Sequence, residues 1–192
     1  IPVISEIEFA YRFAPKEATI IGITGSNGKT TTTMMTHHLL DFAGVKALAG
    51  GNLGDSFARL LLDHEAQDVY VLELSSFQLD GMVTFRPAIA TVLNITADHL
   101  DRYGYSLEAY ADSKVSITKN QRLADRLFVL ADQQTIAPAL RRQKINANLT
   151  TISDEDVRGG SVFIDGYEFT LGTGSLRGRH HGLNPPYACP LS

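Results

Sequence analysis

The stretch TIIGITGSNGKTTTT, from Thr19 to Thr33, constrains this chain more than any other. A β-branched run, Thr19 to Thr24, stops at the loop Gly25, Ser26, Asn27, Gly28, and a segment able to form a helix starts at Lys29. Strand, glycine-rich loop and helix in that order bring backbone N–H groups and the positive end of a helix dipole to one spot, a cradle for phosphate. Lys29 then reaches the outer phosphates, and the hydroxyl of Thr30 or Thr31 is placed to bind Mg²⁺. The pattern G-x-x-x-x-G-K-[ST] asks for glycine at position 23, where this chain has Ile23, so the match rests on the G-K-T end together with Gly25. Threonine is a poor helix former, so propensity does not explain Thr30 to Thr33. Metal and phosphate contacts account for the first two and leave Thr32 and Thr33 without a role.

Downstream, apolar runs alternate with helical ones. Gly44 suits a helix stop, Leu60 to Leu62 sit in a second helix, and Val69 to Leu74 and Ile89 to Ile95 read as strands. SLEAYADSKVSITK, Ser106 to Lys119, reads as a helix opened by its serine. RLFVLA from Arg126 to Ala131 is a strand, and Ile136 to Gln143 is a short helix with Pro138 near its start. In SVFIDGYEFTL, Asp165-Gly166 separates two short apolar runs as a tight hairpin does. The predicted fold is α/β: a P-loop-type, mainly parallel sheet flanked by helices, with a small antiparallel element near the C-terminal end. Ligands are expected at the carboxyl ends of the strands. One domain over 1–192 is expected, with 1–18 as a lead-in segment.

Composition narrows the partners. The 192 residues are 44% hydrophobic and 20% charged, as in an ordinary globular protein. A formal charge of -4 gives no general attraction to polyanions, so no nucleic-acid partner is expected and phosphate binding must be local. No run approaches the roughly 20 apolar residues that a membrane span needs, and Cys189 alone cannot form an internal disulfide. A cytoplasmic protein without a membrane partner is expected. The opening IPVISEIEF lacks a basic n-region, a long apolar core and an initiator Met, which suggests a piece of a longer protein. The adjacent His37 and His38 point in different directions on a helix and make no metal pair.

Two polar clusters fall where strands should end. Glu73 closes the run starting at Val69, the position at which Mg²⁺ would meet a carboxylate. Asp98, His99, Asp101 and Arg102 follow the strand ending near Ile95. Either cluster alone would read as solvated charge. Beside a phosphate loop, metal or phosphate contacts become the better account.

GITGSNGKTTTT, GGNLG at Gly50 to Gly54, ELSSFQL at Glu73 to Leu79, NITADHLDRY at Asn94 to Tyr103 and AYADSK ending at Lys114, in this order, resemble the Mur ligases. The wording is closest to the branch that adds D-glutamate to UDP-N-acetylmuramoyl-L-alanine with ATP. The resemblance implies that Lys29, His99 and Lys114 are catalytic and that Gly25, Ser26, Asn27, Gly28, Thr30 and Thr31 join Lys29 on the nucleotide. It also implies that Asn52 and Ser75 lie near the substrate. Thr30 and Glu73 would hold one Mg²⁺, and His99 would help hold a second. Lys114 matches the family lysine that CO₂ converts to a carbamate, and the carbamate supplies the second metal with oxygen. Asn184 falls at the second asparagine of a nucleotide-contacting segment in which His181 stands at the first. The family also has an N-terminal domain for the uridine nucleotide and a C-terminal domain that helps bind ATP and the incoming amino acid, neither expected within these residues. A monomer is expected.

Folylpolyglutamate synthases share the phosphate loop but differ in the later segments. A P-loop kinase or NTP hydrolase would release ADP without making an amide, whereas Lys29 and Glu73 would be kept even by a module that only binds the nucleotide. A non-catalytic nucleotide-binding module would have no use for a carbamate at Lys114.

Overall fold

The computed structural model describes residues 3–130, 133–153, 162–165 and 168–171. They fall into two compact units that divide between Thr150 and Thr151. In the first, five strands run parallel: β1 (Thr19–Thr24), β2 (Ala47–Gly51), β3 (Val69–Glu73), β4 (Ile89–Val92) and β5 (Arg126–Leu130), in the order β2-β3-β1-β4-β5. Strand β6 (Asn148–Ser153) follows β5 in the order. In the second unit Ile152 and Ser153 of β6 pair in parallel with β7 (Val162–Asp165), which pairs antiparallel with β8 (Glu168–Leu171).

Alternation along β1 and β3 divides the apolar side chains between two layers. Ile21, Ile23, Val69 and Val71 face one way, toward Leu40 of α2 (Lys29–Phe42) and Val45 beyond it. Ile20, Tyr70 and Leu72 face the other, into the larger core. That core takes in α1 (Glu6–Tyr11), α3 (Phe57–Asp63), α4 (Ser76–Asp80), α5 (Leu107–Val115) and α6 (Ile136–Arg142). Strands covered on both faces read as continuous apolar runs, and all five residues of β3 are buried.

Helix α1 lies inside 1–18 and is part of the core, with Ile7 fully buried. The Glu8 carboxylate accepts from the backbone N–H groups of Val83, Thr84 and Phe85 and from the Thr84 hydroxyl, at 2.7–3.0 Å. Burial alone would raise the Glu8 pKa, but these bonds outweigh it and hold the group down to about 2.

Register sets the site. Ile23 lies beside Glu73 and Glu73 beside Gly51, so β1, β2 and β3 end at one level with Thr24 and Val92 close by. From β1 the chain passes to one side, and from β3 it crosses to the other. That divergence opens a crevice above β1.

Candidate functional site

The phosphate loop forms because Gly28 caps α2 in the left-handed conformation, at φ 80, where a side chain would be strained. Its base is braced to the chain leaving β4. Ser26 N–H donates to the Asn94 carbonyl at 2.9 Å and Asn27 N–H to Asn94 Oδ1 at 2.9 Å, while Asn94 Nδ2 returns a bond to the Asn27 carbonyl. Ser26 Oγ accepts from Thr96 N–H at 3.0 Å, and Asn27 Nδ2 donates to Thr96 Oγ1 at 3.3 Å. Ser26 and Asn27 therefore set the shape of the loop. The anion-facing groups are left to the first turn of α2, whose N–H groups have no intrahelical acceptor. Lys29 folds back, its Nζ 2.9 Å from the Ser26 carbonyl.

Glu73 is 3% exposed and gathers the ends of three segments. Thr30 Oγ1 donates to its Oε2 at 2.7 Å, and Asn52 Nδ2 donates to its Oε1 at 2.9 Å. Asn52 can reach because Gly51, at φ 103, turns the chain against β3. A Cβ on Gly51 would lie 2.4 Å from the Glu73 carbonyl oxygen. Thr30 and Asn52 are exposed, so solvent or a ligand can replace either donor.

Ser75 caps α4 in a capping box with Gln78, and Ser106 caps α5. Helix α5 aims Lys114 inward. Lys114 is 1% exposed, with Nζ 2.9 Å from the Gly25 carbonyl and 4.6 Å from the centre of the Tyr110 ring. Burial, reinforced by the charge of Lys29, pushes Lys114 down to about 8 against the pull of Asp98. His99 is exposed and left-handed, at φ 48, with Nε2 3.7 Å from Asp98 Oδ1.

One cleft of about 110 Å³ joins these groups: Lys29, Asn52, Ser75, His99 and Lys114 line it, with Ser76, Phe77, Asp98 and Tyr110. Neither Glu73 nor Thr30 lines it, and Glu73 meets it through Asn52. Thr31 is exposed on the first turn of α2 and does not line it, and Asn184 lies outside the described residues. Sequence reasoning missed Tyr110, whose phenol is pushed up by burial and lies 3.4 Å from Ser26 Oγ. Its position four residues before Lys114, on the same helical face, was the available signal. Asn94 and Thr96 were missed as braces because only the three-dimensional fold shows their partners.

The Mur ligase middle domain family matches residues 23–177. The UDP-N-acetylmuramoylalanine–D-glutamate ligase of Cytophaga hutchinsonii is 47% identical over 165 residues, covering 86% of this chain and 36% of that relative. The chain spans less than half the length of the curated relatives it matches. The fold is similar to that of the MurF ligase from Thermotoga maritima in complex with ADP, with a TM-score of 0.64, 21% identity and coverage of 86% of this chain and 40% of that one. It is also similar to a bifunctional folylpolyglutamate synthase/dihydrofolate synthase with Mn, AMPPNP and L-glutamate bound, with a TM-score of 0.63, 19% identity and coverage of 92% and 53%. With the family matched over most of its length, this chain belongs to the Mur ligase middle-domain family.

Proposed function

We propose that this chain is the ATP- and Mg²⁺-binding domain of a ligase that joins D-glutamate to UDP-N-acetylmuramoyl-L-alanine through an acyl phosphate, in peptidoglycan precursor synthesis. Lys114 carries the reading. It is a buried lysine held near pKa 8, against the phosphate loop and in the wall of the cleft, and a non-catalytic nucleotide-binding module has no use for it as a carbamate. Carbamate formation needs the neutral amine, which adds CO₂ and releases a proton; at pKa 8 that amine is available near neutral pH.

Magnesium fits the residues present. Among the described residues no group of three His, Cys, Asp or Glu side chains is placed to hold a metal, and Mg²⁺ does not need one, since water and phosphate oxygens complete its shell. Glu73 and Thr30 would hold one ion, and His99 with the Lys114 carbamate would support a second. Bound there, the metal supplies charge neutralisation at the phosphoryl group in transfer.

The protein's own part is positioning. Lys29 and the first turn of α2 hold the nucleotide phosphates, while Asn52 and Ser75 face the acceptor carboxylate across the cleft. The carboxylate takes the γ-phosphoryl group, ADP leaves, and the D-glutamate amine displaces phosphate to form the amide. Uridine-nucleotide and amino-acid binding are assigned to the further length found in the relatives.

The test is ligation by the full-length protein that contains this domain, with UDP-N-acetylmuramoyl-L-alanine, D-glutamate and Mg-ATP. ADP, phosphate and amide should form in equal amounts. Lys114→Ala should be inactive and partly restored by short carboxylic acids. ADP released without amide would identify an NTP hydrolase instead.

A further inference from the structure

We infer that Asp80 is a positioning residue whose carboxylate ties together the three segments bearing Ser75, His99 and Lys114; the inference rests on the site reading above. Asp80 is the last residue of α4, the helix that Ser75 caps. Tyr103 ends the 3-10 turn Leu100–Tyr103 that His99 opens, and its phenol donates to Asp80 Oδ2 at 2.9 Å. Ser113 immediately precedes Lys114 on α5, and its hydroxyl donates to Asp80 Oδ1 at 2.5 Å. Arg102 places Nε 3.7 Å from Oδ2, and its guanidinium carbon lies 4.6 Å from the centre of the Phe77 ring. That ring is in turn 5.6 Å from the His99 ring.

None of Asp80, Arg102, Tyr103 and Ser113 lines the cleft, yet each sits within a few positions of a residue that does. The hydroxyl oxygens of Tyr103 and Ser113 lie 3.1 Å apart, so these groups could satisfy each other without a carboxylate. The charge therefore adds geometry: two charge-assisted bonds from different segments to the two oxygens of one rigid group. Neighbouring residues on a helix project about 100° apart, so fixing Ser113 against α4 fixes the rotation of α5 that aims Lys114 at Gly25. The same carboxylate anchors the turn after His99, where a left-handed residue has little freedom to adjust.

The experiment compares full-length wild-type enzyme with Asp80→Ala, Asp80→Glu, Tyr103→Phe and Ser113→Ala, reading kcat, KM for Mg-ATP, bicarbonate dependence and thermal melts. Asp80→Ala should lose about 10–100-fold in kcat, the usual cost of removing a group that orients a metal ligand, with little change in KM. Its half-saturating bicarbonate concentration should rise, a change that mere loss of stability would not produce. Tyr103→Phe and Ser113→Ala should move kcat and bicarbonate dependence the same way by less, and Asp80→Glu should recover part of the loss. A folded Asp80→Ala enzyme with wild-type kcat and bicarbonate dependence overturns the inference, as does a kcat loss accompanied by a lower melting temperature and unchanged bicarbonate dependence. If Asp80→Ala does not fold, the two hydroxyl deletions decide, and unchanged kinetics in both overturn it. A wild-type enzyme that makes no amide and ignores bicarbonate removes the reading of the site and this inference with it.

Discussion

Glu8 and Glu73 are both buried carboxylates, 0% and 3% exposed, and they are satisfied in opposite ways. Glu8 accepts from three consecutive backbone N–H groups, one hydroxyl and the Arg12 guanidinium, and the backbone donors cannot leave without unfolding the 83–85 turn. Glu73 accepts from two side chains on exposed residues, Thr30 and Asn52, which can rotate away. A carboxylate bound by fixed donors is a fastener. One bound by replaceable donors is available to a ligand.

The sharpest way to break this comparison is to neutralise each carboxylate. Glu73→Gln should lose at least about 10²–10³-fold in kcat of the full-length enzyme, on the scale seen when a preorganised electrostatic group is removed, while its melting temperature stays near wild type. Glu8→Gln should keep its kcat and lose stability, on the order of 3 kcal/mol, because an amide cannot replace the charge that its donors stabilise. Kinetics and denaturant melts of the two variants check both halves, and the reverse pattern would dismantle the assignment.

The pH dependence sharpens the Glu8 half. Its carboxyl titrates near 2 when folded and near 4.5 when unfolded, so between those values the unfolded state binds more protons. Its contribution is complete above about pH 4.5 and disappears as pH falls through 2, roughly 3 kcal/mol in all. Subtracting the acid-unfolding curve of Glu8→Gln from that of wild type should isolate this slope. A difference that does not change with pH in that window would show that the carboxyl is not held low.

Gly51 tests how far the replaceable site depends on a fixed frame. Gly51→Ala drives a Cβ to 2.4 Å from the Glu73 carbonyl at φ 103, a strain of about 1–3 kcal/mol. The variant should lose stability and should also displace Asn52, raising KM for the acceptor substrate. Kinetics showing an unchanged KM would place Asn52 outside the binding surface.

Much of the frame was legible because its signals are local. Strand β1 has the bounds read from its β-branched run, and α2 follows the loop as expected. Helix α5 begins after Ser106, whose hydroxyl accepts from the Ala109 N–H, although the regular helix ends at Val115 and a 3-10 turn, Ser116–Thr118, continues it. Strand β4 stops at Val92 rather than Ile95 because Asn94 and Thr96 are drawn to the phosphate loop. Strand β2 passed unread: ALAGG has two glycines and little β propensity, and its place is set by pairing with β3. Helix α1 was unread for a related reason, since six residues without a long apolar period gain their stability from docking Ile7 and Glu8. Lys29 and Glu73 stood out as charges beside a phosphate loop and a strand end and Lys114 through the family resemblance alone, whereas the partners of Asp80 come from segments that only the fold brings together.

The smallest expected effect separates the four threonines of α2. Thr30 donates to Glu73, and Thr32 offers its carbonyl to Thr36 Oγ1 at 2.8 Å. Thr33 is fully buried, and its hydroxyl has no hydrogen-bond partner among the described residues. A buried hydroxyl without a partner keeps its desolvation cost, and valine has nearly the same shape without the polar atom. Both residues are β-branched, so helix propensity hardly changes. Thr33→Val should therefore raise stability by about 0.5–1 kcal/mol while leaving Mg-ATP affinity and kcat unchanged, readable as a small rise in the denaturation midpoint beside calorimetric titration with Mg-ATP. Thr30→Val, the same change three residues earlier, should cost activity because it removes a donor to Glu73 and a proposed metal oxygen. If Thr33→Val instead destabilised the chain or weakened nucleotide binding, its hydroxyl would have a partner in the working enzyme, and the line between fastening and replaceable groups would have to be redrawn inside α2.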